Sequence, residues 1–351
     1  MTLASARART SVFLALAAIL LWFAAKNVAP AYDGLRIAAA KEDPVALSDA
    51  RLDQTLTPSR FSAGLDAGLS AGDADLAESF VTLGRMRGLS ATAEQQARLE
   101  ALRAKAGETA AEDFAQGFLH GSRDNGAAFA GALAGDLTGY GDLRDLLSEA
   151  EKVRRGEQAD ELVVGLAAAG LALSAATWSS VGALLPARSG VTLVKGAQKA
   201  GRLSAPLAKS LTAAAGKAVD REALTAGLGA AARFDLAAAR AAAARVLRPG
   251  ALASFRALGE DAATIYRRAG ARGVKDVVAV AENGAELRKA ARLAAARGGT
   301  TRAILATLGR GALVFAGLAS AAVEAIFALI GALLGLALLA QRFGFWLGRR
   351  I

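Results

Sequence analysis

Residues 162–185 read LVVGLAAAGLALSAATWSSVGALL, 24 positions without a charge, opened by Asp160-Glu161 and closed by Pro186 and Arg188. A helix apolar on every face either crosses a bilayer or lies buried inside a bundle, because no side of it suits water. The run exceeds the roughly 18 residues that mark a span. Its length predicts a transmembrane helix or hairpin over 161–186. Gly165, Ala169, Ala172 and Ala176 recur at spacings of four, three and four, which draws one small-residue stripe along such a helix. Stripes of this kind let helix backbones approach closely in lipid.

Two further segments are apolar. At the N-terminus, Arg7 and Arg9 precede an uncharged run from Thr10 to Ala25, and Lys26 follows. Residues 1–31 therefore read as a signal anchor or a signal peptide, with Ala29-Pro30-Ala31 as the small-residue cleavage site of the second reading. At the C-terminus, residues 312–351 form a third candidate span, whose charge-free core is 325–341. Gly331 and Gly335 make a GxxxG match there, and Ala321, Ala325, Ala328 and Ala332 extend the stripe. Glu324 is the one acid in this segment; an intramembrane carboxylate is a candidate functional residue, and an acid at the end of a run marks the interface. Trp22, Trp178 and Trp346 all fall inside the three apolar segments, as interfacial anchors or core residues would.

The rest of the chain is helical in character. Alanine, leucine and arginine dominate, there are six prolines, and no alternating strand pattern occurs. An all-α membrane protein follows, with two to three apolar segments and two polar regions. Residues 32–160 carry 14 Lys/Arg against 22 Asp/Glu; residues 187–311 carry 22 against 8. Taken with Arg7 and Arg9, the positive-inside tendency places 32–160 outside and 187–311 inside, which in a bacterial inner membrane is periplasmic and cytoplasmic. Three spans would leave Arg349 and Arg350 outside, against the same tendency.

Region 32–160 carries clear helix punctuation. Thr57-Pro58 and Asp73 start helices, Gly88 ends one, and Thr92 with Gln95 forms a capping box. Leu76, Phe80 and Leu83 make an apolar face. In 187–311, glycines 259, 270, 284, 298 and 309 divide the sequence into helices of about 11–14 residues. Its recurrent Arg and Lys suit anionic lipid headgroups or a protein partner. Low aromatic content argues against a nucleic-acid platform.

Residues that would carry chemistry are scarce. Cysteine is absent and His120 is the single histidine, which excludes thiolate and multi-histidine metal sites. His120-Gly-Ser122-Arg-Asp124 reads as a turn, because triads are assembled across a fold. Gly227-Leu-Gly229 lacks the preceding strand that a dinucleotide loop needs. Asp73, Asp75 and Glu78 fit a helix start better than a cation site. Asp142, Asp145 and Glu149 share one helix face and read, with Lys152 and Arg155, as solvated intrahelical pairs. No cofactor, metal or enzymatic activity is implied.

The Gly-Asp-Leu-Arg-Asp box at 141–145, the short basic helix after it and the apolar stretch to 185 resemble a family of proteobacterial membrane proteins of unknown function. A similar box and apolar stretch precede the toxin module of some polymorphic toxins; here a third apolar segment follows instead. The expectation is a non-enzymatic scaffold or adaptor, self-associating or binding a membrane partner through its small-residue faces. The alternative is a channel, transporter component or pore-former using Glu324.

Overall fold

The structure, a computed structural model, describes residues 3–105, 140–179, 184–232, 250–315 and 320–348, with residues 235, 238, 241–242 and 245–248. The His120–Asp124 cluster lies outside them. The described residues are helical apart from loops and an isolated antiparallel bridge between Val219 and Leu247. The chain divides into two units, Met1–Arg51 with Val314–Ile351, and Leu52–Leu313.

The first unit is built on α1 (Leu3–Ala39) and α14 (Ser320–Gly348). Along α1 the less exposed positions include Phe13, Ala17, Leu20, Ala24, Asn27 and Ala31; along α14 they include Ala325, Leu329, Ala332, Leu336, Leu339 and Phe343. Both sets step by alternating threes and fours, the repeat of a coiled-coil seam. Phe13 meets Phe343 edge to face at 5.5 Å, and Gly335 lies against Leu20, so the helices run antiparallel. That register brings Ala24 level with Ala332 and Ala31 level with Ala325, all four buried. Alanine opposite alanine permits a close axis-to-axis approach. Ala29-Pro30-Ala31 sits within continuous helix, with Ala31 in the seam. At the end of α1, Ile37 joins Ala40, Leu47 and Ala50 in a small core against Phe315. Leu47 belongs to α2 (Pro44–Thr55), whose start is held by Asp43 accepting from the Val45 amide at 2.9 Å.

The second unit opens with a helical pair. α3 (Pro58–Ser70) is capped by Thr57, and α4 (Ala74–Met86) by Asp73. Gly64 lies under the Phe80 ring and Gly84 under the Phe61 ring, so each helix seats the other's aromatic side chain. Phe80 and Leu83 are buried and Leu76 is half-buried, and Gly88 takes φ 69° just past the helix end. Thr92 and Gln95 exchange hydrogen bonds of 3.0 and 3.2 Å at the head of α5 (93–105).

Next come α6 (Tyr140–Arg154), α7 (Glu161–Ser179), α8 (Leu185–Lys199), α9 (Ala205–Ala218) and α10 (Arg221–Ala232). α11 (Ala251–Val280) bends at Gly270, where φ is 74°. α12 (Gly284–Arg297) and α13 (Thr301–Leu308) complete the unit. α7 packs against α6, α8 and α9. Leu162, Val163, Leu166, Ala167, Ala168, Ala169 and Leu173 are all buried there, on successive faces of the helix.

Two expectations are corrected at this point. The transmembrane helix or hairpin expected over 161–186 is not among the candidate spans: α7 covers Glu161–Ser179, Pro186 sits in the first turn of α8, and the apolar side chains of α7 from Leu162 to Leu173 are largely covered by protein. Among the described residues, two helices are long and apolar enough to cross a membrane, the terminal ones over Thr10–Ala39 and Ala321–Trp346, whose most apolar 18-residue windows have mean hydropathies of 2.0 and 2.4. Nor do 32–160 and 187–311 form separate domains on opposite sides of a bilayer. Arg302 pairs with Asp73 at 2.8 Å, and Ser79 accepts from the Ala303 amide at 2.9 Å, within one unit. A membrane cannot run between residues in hydrogen-bond contact.

Candidate functional site

The small-residue stripes do promote close helix approach, but inside the chain. A Cβ on Gly165 would collide with the Cβ of Ala215, so Gly165 is where α7 meets α9. Ala169 and Ala172 are buried along the same helix, while the side chain of Ala176 lies outside the described set. On α14, Ala325 and Ala332 face α1, and a Cβ on Gly335 would stand 3.2 Å from Leu20. Gly331 is exposed, with nothing within 4 Å of such a Cβ. Glu324 is exposed near the start of α14.

The outer faces of α1 and α14 are apolar and bare. Leu14 is 66% exposed, Trp22 65%, Phe327 69% and Phe345 68%. Contiguous apolar surface of this kind marks a membrane or partner contact rather than a water-facing side.

The most unusual chemistry in the second unit is a buried charge cluster. Asp142 and Asp145 stand one turn apart on α6. Lys195 and Lys199 stand one turn apart on α8, with Arg188 nearly two turns before Lys195. Lys195 donates to Asp142 and lies 2.9 Å from Asp145; Lys199 reaches Asp145 at 2.6 Å. Arg188 approaches Asp142 at 3.9 Å. The Lys195 side chain is only 1% exposed. Gly170 of α7 makes room, since a Cβ there would overlap the Asp142 carboxylate. The network continues through Glu149, which accepts from the Asp160 amide at 2.8 Å, to Asp160, which caps α7 through the amides of Leu162 and Val163.

Asp142 and Asp145 are therefore not solvated intrahelical partners. That description fits Glu151 with Arg155, at 3.2 Å, and in part Glu149 with Lys152, at 2.7 Å. Sequence alone marked the two aspartates within the 141–145 box but supplied no hint of their partners some fifty residues on. Lys195 and Arg188 sit in a segment that reads as ordinary amphipathic helix.

Burial alone would lower the Lys195 ammonium, but Asp142 and Asp145 outweigh it, and its pKa lies above the usual lysine value. Burial alone would raise the Asp145 carboxyl, but Lys195 and Lys199 outweigh it and hold it down. Lys195 is thus locked as a cation and Asp145 as an anion. Such a group does not serve as a base or nucleophile near neutral pH. What the arrangement does is clamp α6 onto α8 around α7. Among the described residues no group of three or more His, Cys, Asp or Glu side chains is placed to hold a metal ion.

No protein-family model matches the chain, and neither a curated protein nor a solved structure matches it. The fold defines an all-α protein bearing two terminal helices with the length and apolarity of membrane spans.

Proposed function

We propose that the chain is a membrane-anchored, non-enzymatic adaptor. α1 and α14 form a two-helix anchor, and 52–313 is the cargo-bearing or partner-bearing unit on one side. The observation that carries this reading is the antiparallel α1–α14 seam with apolar residues exposed on its outer faces. Twenty residues of helix match the roughly 30 Å hydrocarbon core, and both helices exceed that length. The N-terminal stretch stays uncleaved in this reading, because cleavage at 29–31 would strip α14 of its packing partner.

Two spans also remove the charge conflict of a three-span chain. Arg7 and Arg9 lie in the first turns of α1, before its uncharged run, and Arg349 and Arg350 follow α14 in the sequence. An antiparallel hairpin puts all four at the same end, which the positive-inside tendency makes cytoplasmic. The whole 52–313 unit then lies across the membrane, periplasmic in a bacterial inner membrane.

The test is extraction of membranes from expressing cells. An integral hairpin stays in the pellet after alkaline carbonate and moves to the supernatant with detergent. Release of the full chain by carbonate alone would overturn the anchor.

A further inference from the structure

A cavity of about 550 Å³ opens in the 52–313 unit between α9 and the starts of α11 and α12. Small-molecule sites typically span about 300–1,000 Å³. Its floor is apolar, formed by Leu211, Phe255 and Leu258, all buried. Its walls are polar in a particular way. Lys217 and Arg288 bring two cationic groups, and Ser210 and Ser254 bring two hydroxyls. The one carboxylate, Asp261, lies 3.7 Å from Arg288. Arg248 stands next to this wall, since its amide donates to the Ala218 carbonyl at 2.8 Å. Gly250 and Ala251, where α11 begins without a side-chain cap, also line it.

This balance selects among ligand classes. A free inorganic anion would use the cations and hydroxyls but leave the floor bare. A neutral apolar molecule would leave Lys217 unused. Cationic and hydroxyl donors lining one cavity beside apolar surface fit a headgroup with several acceptor oxygens joined to an apolar body. We propose that the cavity binds an anionic amphiphile, a phosphate headgroup on a short apolar tail, with Lys217 and Arg288 on the head and Leu211, Phe255 and Leu258 on the tail. Asp261 orients Arg288 and opposes the incoming charge. This proposal does not depend on the membrane-anchor reading.

The experiment is titration calorimetry on the full chain in nanodiscs of zwitterionic lipid. The probes are dihexanoyl phosphatidic acid, below its micelle concentration, and glycerol phosphate. The expected result is saturable binding of the first, at least tenfold tighter than the second. Lys217→Glu should weaken it tenfold or more, Asp261→Asn should strengthen it, and Ala214→Phe, which fills the cavity, should abolish it. Lys209→Glu, on the same helix but off the wall, should leave it unchanged. Repeating the titration in nanodiscs doped with long-chain phosphatidic acid separates the sources. Loss of the signal assigns the headgroup to the bilayer, persistence assigns it to a soluble amphiphile, and either keeps the shared chemistry. Equal affinity for glycerol phosphate, equal effects of Lys209→Glu and Lys217→Glu, or no binding at millimolar probe by correctly folded chain would overturn the proposal.

Discussion

Asp73 and Arg302, 229 positions apart, meet through two hydrogen bonds of 2.8 Å, one to each carboxylate oxygen. Asp73 also caps α4, accepting from the Leu76 amide at 3.0 Å, and Arg302 also holds Asp276 at 2.6 Å. The acidic first part of the chain and its basic last part are thereby joined in one body. Acidic side chains of 32–160, Asp73, Asp142 and Asp145, thus pair with basic side chains of 187–311, Arg302, Lys195 and Lys199, within one unit.

Removing that pair should show in stability against pH. Burial raises the Asp73 carboxyl, but the hydrogen bonds and charge of Arg302, with Arg272, bring it down to about 2 from the ordinary 3.8. A depressed carboxylate stabilises the fold above its unfolded pKa and loses that contribution as pH falls through the folded one. The window is therefore pH 4 down to pH 2, and the amount is about 2 kcal/mol. Asp73→Asn keeps an N-cap side chain, so it isolates the ion pair. Thermal melts should show the variant less stable at pH 7 and less sensitive to acid between pH 4 and 2.

Lys195→Met should cost about 3–5 kcal/mol, since removing one partner leaves buried charge uncompensated. Adding Asp142→Asn and Asp145→Asn should recover part of the loss. The raised Lys195 contributes fully below the unfolded lysine value of 10.5 and loses its contribution as pH rises through the higher folded one. The lowered Asp145 gives way below 3.8. Urea midpoints for the clamp should thus be flat between about pH 4 and pH 10 and fall outside that range.

α8 and α11 cross backbone to backbone. A methyl on Gly190 would overlap the Gly259 carbonyl, and one on Gly259 would overlap that of Ala187. Gly190→Ala and Gly259→Ala should each cost about 1–3 kcal/mol or more. Gly216→Ala, an exposed helical site with open space, should be neutral or slightly stabilising. Equal melting points for all three would contradict the crossing.

In the hairpin, Phe13→Cys with Phe343→Cys should crosslink within one chain, because the two rings lie 5.5 Å apart. The chain has no native cysteine to interfere. Gly335→Ile, pressed against Leu20, should reduce that crosslinking; Gly331→Ile, facing open space, should not.

How much of this the sequence carried depends on the range of the interaction. Caps at Thr57 and Asp73 and the Thr92–Gln95 box were legible because they are set within four residues. Gly270, Gly284, Gly298 and Gly309 do bend or bound helices. Gly259 does not; it lies inside α11 because Gly190 needs the space, a reason visible only once α8 is in place. The apolar stretch from Leu162 to Leu173 was legible as helix shielded from water. What shields it was not, since Ala/Leu composition is the same for a lipid-facing and a protein-covered helix. The seam of α1 was hidden for a related reason: on a helix apolar all round, the buried stripe has no contrast with its flanks.

The proposed two-helix anchor is tested most directly by which residues are reachable from outside the cell. Single cysteines at Gln96, Ala279 and Ile351 can be challenged in intact cells with a membrane-impermeant maleimide. The account predicts labelling of Gln96→Cys and Ala279→Cys, and labelling of Ile351→Cys only after permeabilisation. Opposite outcomes for Gln96→Cys and Ala279→Cys would contradict it.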